Sequence, residues 1–166
     1  MTETEVESPF VHTYLLSRQE RVLWRRFVET HAAIVRRLDE DLRANSGLTM
    51  SSFEVLYELT RAPENRLRMA ELADRLLFTR SGVTRLVDRL EREGLVERCE
   101  CENDGRGVYA ILTDKGFEAF ETAAGPHIDG IRRLFLDRLD GWDDVLLRLL
   151  HQLAPEKHAK AVGSEA

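Results

Sequence analysis

The 166-residue chain has only two cysteines, Cys99 and Cys101, and four prolines. Two cysteines cannot build the disulfide framework of a small secreted domain, and a lone Cys-x-Cys lacks the four-ligand set that zinc needs. No apolar run approaches the roughly 20 residues that cross a bilayer. Met1–Pro9 carries three glutamates where a secretory leader would have basic residues and an apolar stretch. These absences predict a cytoplasmic protein with no membrane partner. Gly-rich phosphate loops, His-x-x-x-His or Glu-x-x-His pairs and Gly-x-Ser-x-Gly are also missing, so no enzyme, catalytic residue, metal or cofactor is expected. Positive charge is in deficit as well. Lys and Arg number 24 against 30 Asp and Glu, a net charge of −6, so any affinity for a polyanion must come from local clusters.

What is present is an ordinary globular balance, 43% hydrophobic and 33% charged. An acidic arm over 1–16 leads to Ser17-Arg18-Gln19-Glu20, the spacing of a capping box. Trp24, Phe27, Val28, His31, Val35, Leu38 and Leu42 then recur every three or four residues until Asn45-Ser46-Gly47, predicting a first helix of about seven turns. A helix of that length outruns so small a domain, so part of its apolar stripe is expected to face another subunit. Thr49 or Ser51 caps a second helix over Thr49–Arg61, with Phe53, Leu56, Tyr57 and Thr60 on one face and Pro63-Glu64-Asn65 as its stop. A short third helix follows over Leu67–Leu76.

The fourth helix, Thr79–Glu93, has Val83, Leu86, Val87 and Leu90 on one side and Ser81, Arg85, Asp88 and Arg92 centred on the other. After Gly94 the period changes. Leu95–Glu102 and Val108–Leu112 read as a hairpin around Asn103–Gly107. Thr113 caps a further helix carrying Phe117, Phe120, Ile128, Ile131, Leu134 and Phe135, which Gly125-Pro126 is expected to kink or split. Asp140–Asp143 opens the last helix through Leu153, and 156–166 is a frayed tail.

A short helix, a tight connection, an Arg-faced helix and an Arg-tipped hairpin describe a winged helix-turn-helix. The expected class is mainly α (α+β), with a two-stranded wing and long N- and C-terminal dimerisation helices. The winged domain would span 49–113, and 17–48 with 114–155 would form the dimerisation region. An α-helix fits the major groove, so Thr79, Arg80, Ser81, Thr84 and Arg85 are expected at base edges or phosphates. Arg66, Arg68, Arg75, Arg89 and Arg92 would hold the flanking backbone. Arg106 would enter a minor groove, with Asp104 orienting its guanidinium. From Arg66 to Arg92 seven arginines face four acids, a local reversal of the overall sign. The plainer reading is a solvated helix face with local ion pairs, an exposed turn arginine, and thiols used only for packing.

Leu67–Ala73, Val83–Arg98 and Asp104-x-Arg106 leading into Leu112-Thr113-x-x-Gly116 resemble the pattern of the MarR family of transcriptional regulators. The resemblance runs over Leu15–Leu153 in element order and is densest over Leu67–Gly116. It implies a homodimer with interlocked terminal helices, a pseudo-palindromic double-stranded DNA operator, repression, and release by a small phenolic or carboxylate effector. Arg18, Arg25, Trp24, His31 and Tyr57 are candidates for the effector pocket, the arginines to pair a carboxylate and the others to line it, Trp24 and Tyr57 being core first. Two other readings stay open: a redox or metal switch at Cys99 and Cys101, and a winged-helix protein–protein adaptor that does not use DNA. Peroxide-sensing members place their cysteine in the N-terminal helical region, where this chain has none.

Overall fold

A computed structural model of the chain describes residues 16–76, 78–100 and 107–153. The helices are α1 (Arg18–Ser46), α2 (Met50–Thr60), α3 (Met69–Leu76), α4 (Arg80–Arg92), α5 (Asp114–Leu134) and α6 (Asp143–Leu153); the strands are β1 (Arg66–Arg68), β2 (Val96–Glu100) and β3 (Val108–Leu112). The chain divides into two compact units, one ending at Arg36 and the other beginning at Arg37.

In the first unit the capping box forms as its spacing predicts. The Glu20 amide donates to Ser17 Oγ at 3.2 Å, and the Ser17 amide donates to Glu20 Oε2 at 2.7 Å. Hydrogen bonding to the carboxylate from the Ser17 side chain first and the Ser17 amide second holds the Glu20 carboxyl below its usual range. The apolar side chains over the first turns of α1 are exposed. Leu23 is 72% exposed and Trp24 62%, so Trp24 does not take the core position expected of it.

The second unit contains the core. Val55, Leu56 and Leu59 of α2, Leu72 of α3, and Val83, Val87 and Leu90 of α4 are fully buried, together with Val96 and Ala110 of the sheet. Asp39, on the last turns of α1, aims its carboxylate at the start of α2. Oδ1 accepts the Met50 amide at 2.7 Å and Oδ2 accepts Arg43 Nε at 2.7 Å. The backbone bond first and Arg43 second hold this carboxyl below its usual range. Gly47 follows in the left-handed region at φ 74°, as a helix stop requires.

Three expectations change. Leu67 and Arg68 are not helical: β1 pairs antiparallel with β3, Leu67 opposite Ala110 and Arg68 opposite Tyr109, so the wing belongs to a three-stranded sheet of order β1-β3-β2. Leu67 points inward between two exposed arginines, a period of two that three residues are too few to declare in a sequence. Pro126 does not split α5, which runs unbroken through it. Ala123, His127 and Gly130 are buried on both sides of the proline, and this packing outweighs the one lost backbone donor. Tyr57 is exposed rather than core, its hydroxyl accepting from Arg61 Nη1 at 2.9 Å.

The Thr113-x-x-Gly116 spacing has a steric cause. Thr113 Oγ1 accepts the Gly116 amide at 3.0 Å and donates to the Gly94 carbonyl at 2.8 Å, tying the start of α5 to the turn after α4. A Cβ on Gly116 would lie 2.1 Å from the Leu95 carbonyl oxygen, a backbone atom that cannot move aside. Gly116→Ala is therefore expected to cost about 3 kcal/mol, the upper end of overpacking penalties, in denaturant unfolding. A loss below about 0.5 kcal/mol would contradict this packing.

His127 is 6% exposed, its ring centroid lies 4.4 Å from that of Phe53, and its Nδ1 has no hydrogen-bond partner among the described residues. Burial holds the imidazole below its ordinary value of about 6.5, so the unfolded chain binds a proton at a pH where the folded chain does not. Stability is then full above about pH 6.5 and declines as the pH falls from there toward the folded-state value. Denaturant midpoints measured through this window are expected to fall less steeply in His127→Leu. An unchanged slope would show that His127 does not contribute.

Candidate nucleic-acid interface

α4 begins at a side-chain cap. Thr79 Oγ1 accepts the Gly82 amide at 3.1 Å and lies 3.2 Å from Ser81 Oγ. Thr84 Oγ1 donates back to the Arg80 carbonyl at 2.9 Å. With Val83, Val87 and Leu90 turned into the core, Ser81 and Arg85 stand on the outward ridge and Arg80 and Thr84 flank it, all exposed. Neither Arg80 nor Arg85 has a salt-bridge partner among the described residues.

The same ridge carries Asp88, with Glu91 beside it, two charges that would repel a polyanion. Arg98 of β2 engages both. Its Nη1 donates to Asp88 Oδ1 and, at 3.2 Å, to Glu91 Oε2, while Nη2 donates to the Thr84 carbonyl at 3.0 Å. One guanidinium thus fastens the wing sheet to α4 and offsets the acids of its exposed side. Arg92 Nε caps the Asp88 carbonyl at 3.1 Å. The sequence places Asp88 on the outward side of the helix and gives no sign of a role for Arg98. The Arg98 contact joins separate elements, so no helical spacing announces it.

Clefts lie on either side of the first turns of α4. On the wing side an open cleft of about 530 Å³ is lined by Arg68, Arg80, Thr84, Arg98 and Val108. On the other side a cleft of about 410 Å³ is lined by Asp39, Arg43, Thr49, Phe78, Arg85, Leu86 and Arg89.

The remaining arginines divide by where their charge goes. Arg89, expected at the flanking backbone, is engaged within the fold: its Nη2 donates to Thr49 Oγ1 at 3.1 Å and Ser52 Oγ at 2.7 Å, bracing the start of α2. Arg75 likewise turns away, held by Glu58 at 3.2 Å and Glu71 at 2.7 Å. Arg66 pairs with Glu64 at 2.6 Å and sits over the Tyr109 ring. Arg68 Nε donates to the Tyr109 hydroxyl at 3.1 Å. Asp104, Arg106 and Cys101 lie outside the described residues, and Cys99 is exposed on β2. Of the effector candidates, Arg18, Trp24, Arg25 and His31 are exposed on α1 within the first unit, Arg25 paired with Glu29 at 3.5 Å, and Tyr57 belongs to the second. Among the described residues no group of three or more His, Cys, Asp or Glu could hold a metal ion, and no helix is long and apolar enough to cross a membrane.

The sequence profile of the MarR family matches residues 46–107. The uncharacterized HTH-type transcriptional regulator YkoM of Bacillus subtilis is 36% identical over 105 residues, 63% of this chain and 66% of that relative, just short of two thirds of its length. AbsC, a MarR family transcriptional regulator from Streptomyces coelicolor, superposes with a TM-score of 0.80 at 32% identity over 92% of this chain and 100% of its own. Sco3205, another MarR family regulator of Streptomyces coelicolor solved in complex with DNA, gives a TM-score of 0.76 at 33% identity over 86% of this chain and 92% of its own. Fold, residue pattern and relatives agree: the chain belongs to the MarR family of DNA-binding transcriptional regulators.

Proposed function

We propose that the chain acts as a homodimeric repressor that places two α4 helices in successive major grooves of a pseudo-palindromic operator, about 34 Å apart, with Arg106 of each wing in a flanking minor groove. The observation that carries this reading is the outward ridge of α4. Arg80 and Arg85 stand exposed at its start while its acids are engaged by Arg98. In this reading Arg85 would pair bidentately with guanine, and Arg80 and Arg68 would meet backbone phosphates beside it. In this arrangement 49–113 is the DNA-binding domain.

Dimerisation is supported by two apolar faces that the described chain leaves open. One is on α1 at Leu23, Trp24 and Phe27; the other is on α6 at Leu147, Leu150 and Leu153, the last 75% exposed. Faces of this kind on both terminal helices suit a second copy of the chain.

A small carboxylate effector is the second half of the proposal. The cleft beside Thr49 and Leu86 combines apolar walls with the guanidinium groups of Arg43, Arg85 and Arg89. An anion bound there would draw Arg85 away from DNA, giving the differential affinity that release requires.

Anisotropy titrations against a duplex selected from a random-sequence pool test the DNA reading. Affinity is expected to fall by orders of magnitude between low and moderate salt. Arg85→Ala is expected to cost about 1–3 kcal/mol and to relax preference at one base pair per half-site. Failure to enrich any duplex, or an Arg85→Ala protein with unaltered affinity and preference, would overturn the assignment.

A further inference from the structure

Tyr109 of β3 is the one aromatic ring among the described residues with guanidinium groups from two different arginines over it. Arg66 Cζ lies 5.3 Å from its centroid and Arg68 Cζ 5.6 Å, both reaching across from the neighbouring strand β1. The strand register makes this contact inevitable. Arg68 is directly opposite Tyr109 and Arg66 opposite Ile111, two residues along on the same sheet face. The ring's negative face attracts both cations, and its hydroxyl accepts Arg68 Nε at 3.1 Å, fixing the guanidinium plane as well as its position. Arg68 also lines the wing-side cleft together with Arg80 at the start of α4.

We propose that Tyr109 is a positioning residue for DNA binding: it holds Arg68 in place before the duplex arrives, so that the backbone phosphate beside α4 meets an ordered guanidinium group, with Arg66, already paired to Glu64, stacked behind it. The inference rests on the DNA reading above and adds a residue that makes no phosphate contact itself. A free arginine loses much rotamer freedom when it settles on a phosphate. On β1 part of that loss is met during folding, because the stack and the hydroxyl bond already restrict Arg68. Tyr109 adds no charge, so its effect falls on affinity and leaves the number of displaced counterions alone.

Salt-resolved binding separates the roles. The probe is the duplex selected by the wild-type protein, and thermal melting confirms that each variant is folded. Tyr109→Leu is expected to weaken binding about threefold per head, about tenfold for two heads, with the slope of log affinity against log salt unchanged. Arg68→Ala is expected to reduce that slope by about one per head as well as the affinity. Tyr109→Phe, which keeps the ring and loses only the bond to Arg68, is expected to recover about half of the loss seen with leucine, leaving about a threefold loss. With Arg66 and Arg68 both replaced by alanine, Tyr109→Leu is expected to have no further effect. Wild-type affinity in Tyr109→Leu and Tyr109→Phe alike would overturn the proposal, as would a tenfold loss that persists without the two arginines. If the leucine variant does not fold, Tyr109→Phe decides alone, with about a threefold loss expected and wild-type affinity contradicting. A wild-type protein that selects no duplex overturns the DNA reading itself, an outcome distinct from all of these.

Discussion

Arg98 reaches from the wing sheet to the side of α4, where it meets Asp88, Glu91 and the Thr84 carbonyl with a single guanidinium. Each partner is partly exposed, and such surface pairs contribute only about 0–1 kcal/mol to folding. Their weight lies in what faces the solvent. An unpaired carboxylate about 4 Å from a phosphate costs about 1 kcal/mol in water and about 4 kcal/mol where the effective dielectric is near 20. Two such groups on the exposed side of α4 would offset much of what Arg80 and Arg85 supply. The bond to the Thr84 carbonyl adds orientation, since it sets the sheet against the helix turn that carries both of those residues.

Counting charge along the chain therefore misstates the field of the folded protein. Of the seven arginines between Arg66 and Arg92, Arg75 and Arg89 are committed to Glu58, Glu71, Thr49 and Ser52, and Arg66 is offset by Glu64. Arg98, outside the counted window, pairs with two of the four acids within it and neutralises one of their two charges. The surface beside α4 is cationic because of where the side chains go. An excess of arginine in the segment is a weaker guide. The same sorting explains how a chain of net charge −6 keeps exposed arginines at the start of α4.

Most of the helical framework was legible because its signals are local. The Ser17 capping box, the Thr49 and Thr113 caps and the apolar periods of α2 and α4 each fall within one or two turns of sequence, and each forms where its spacing places it. The two secondary-structure elements that were misread depend on partners distant in the chain. β1 is a strand only because β3 lies alongside it, and α5 continues through Pro126 because residues on both sides of the proline are buried. The site divides in the same way. Arg80, Ser81, Thr84 and Arg85 follow from helix geometry, whereas the inward turn of Arg89, the Arg98 clasp and the Tyr109 stack are contacts between separate elements. The Thr113-x-x-Gly116 motif was visible as a pattern, but its cause, the Leu95 carbonyl against the missing Cβ, exists only in the folded chain.

If Arg98 serves the interface by cancelling charge, its loss must be reversible by removing the charges it cancels. The decisive measurement is duplex affinity at one salt concentration for Arg98→Ala and for Arg98→Ala combined with Asp88→Asn and Glu91→Gln. Weakened binding in the single variant and recovery toward wild type in the triple variant is the predicted result. A triple variant that binds no better than Arg98→Ala would contradict the account and leave Arg98 as a purely structural or directly DNA-contacting residue.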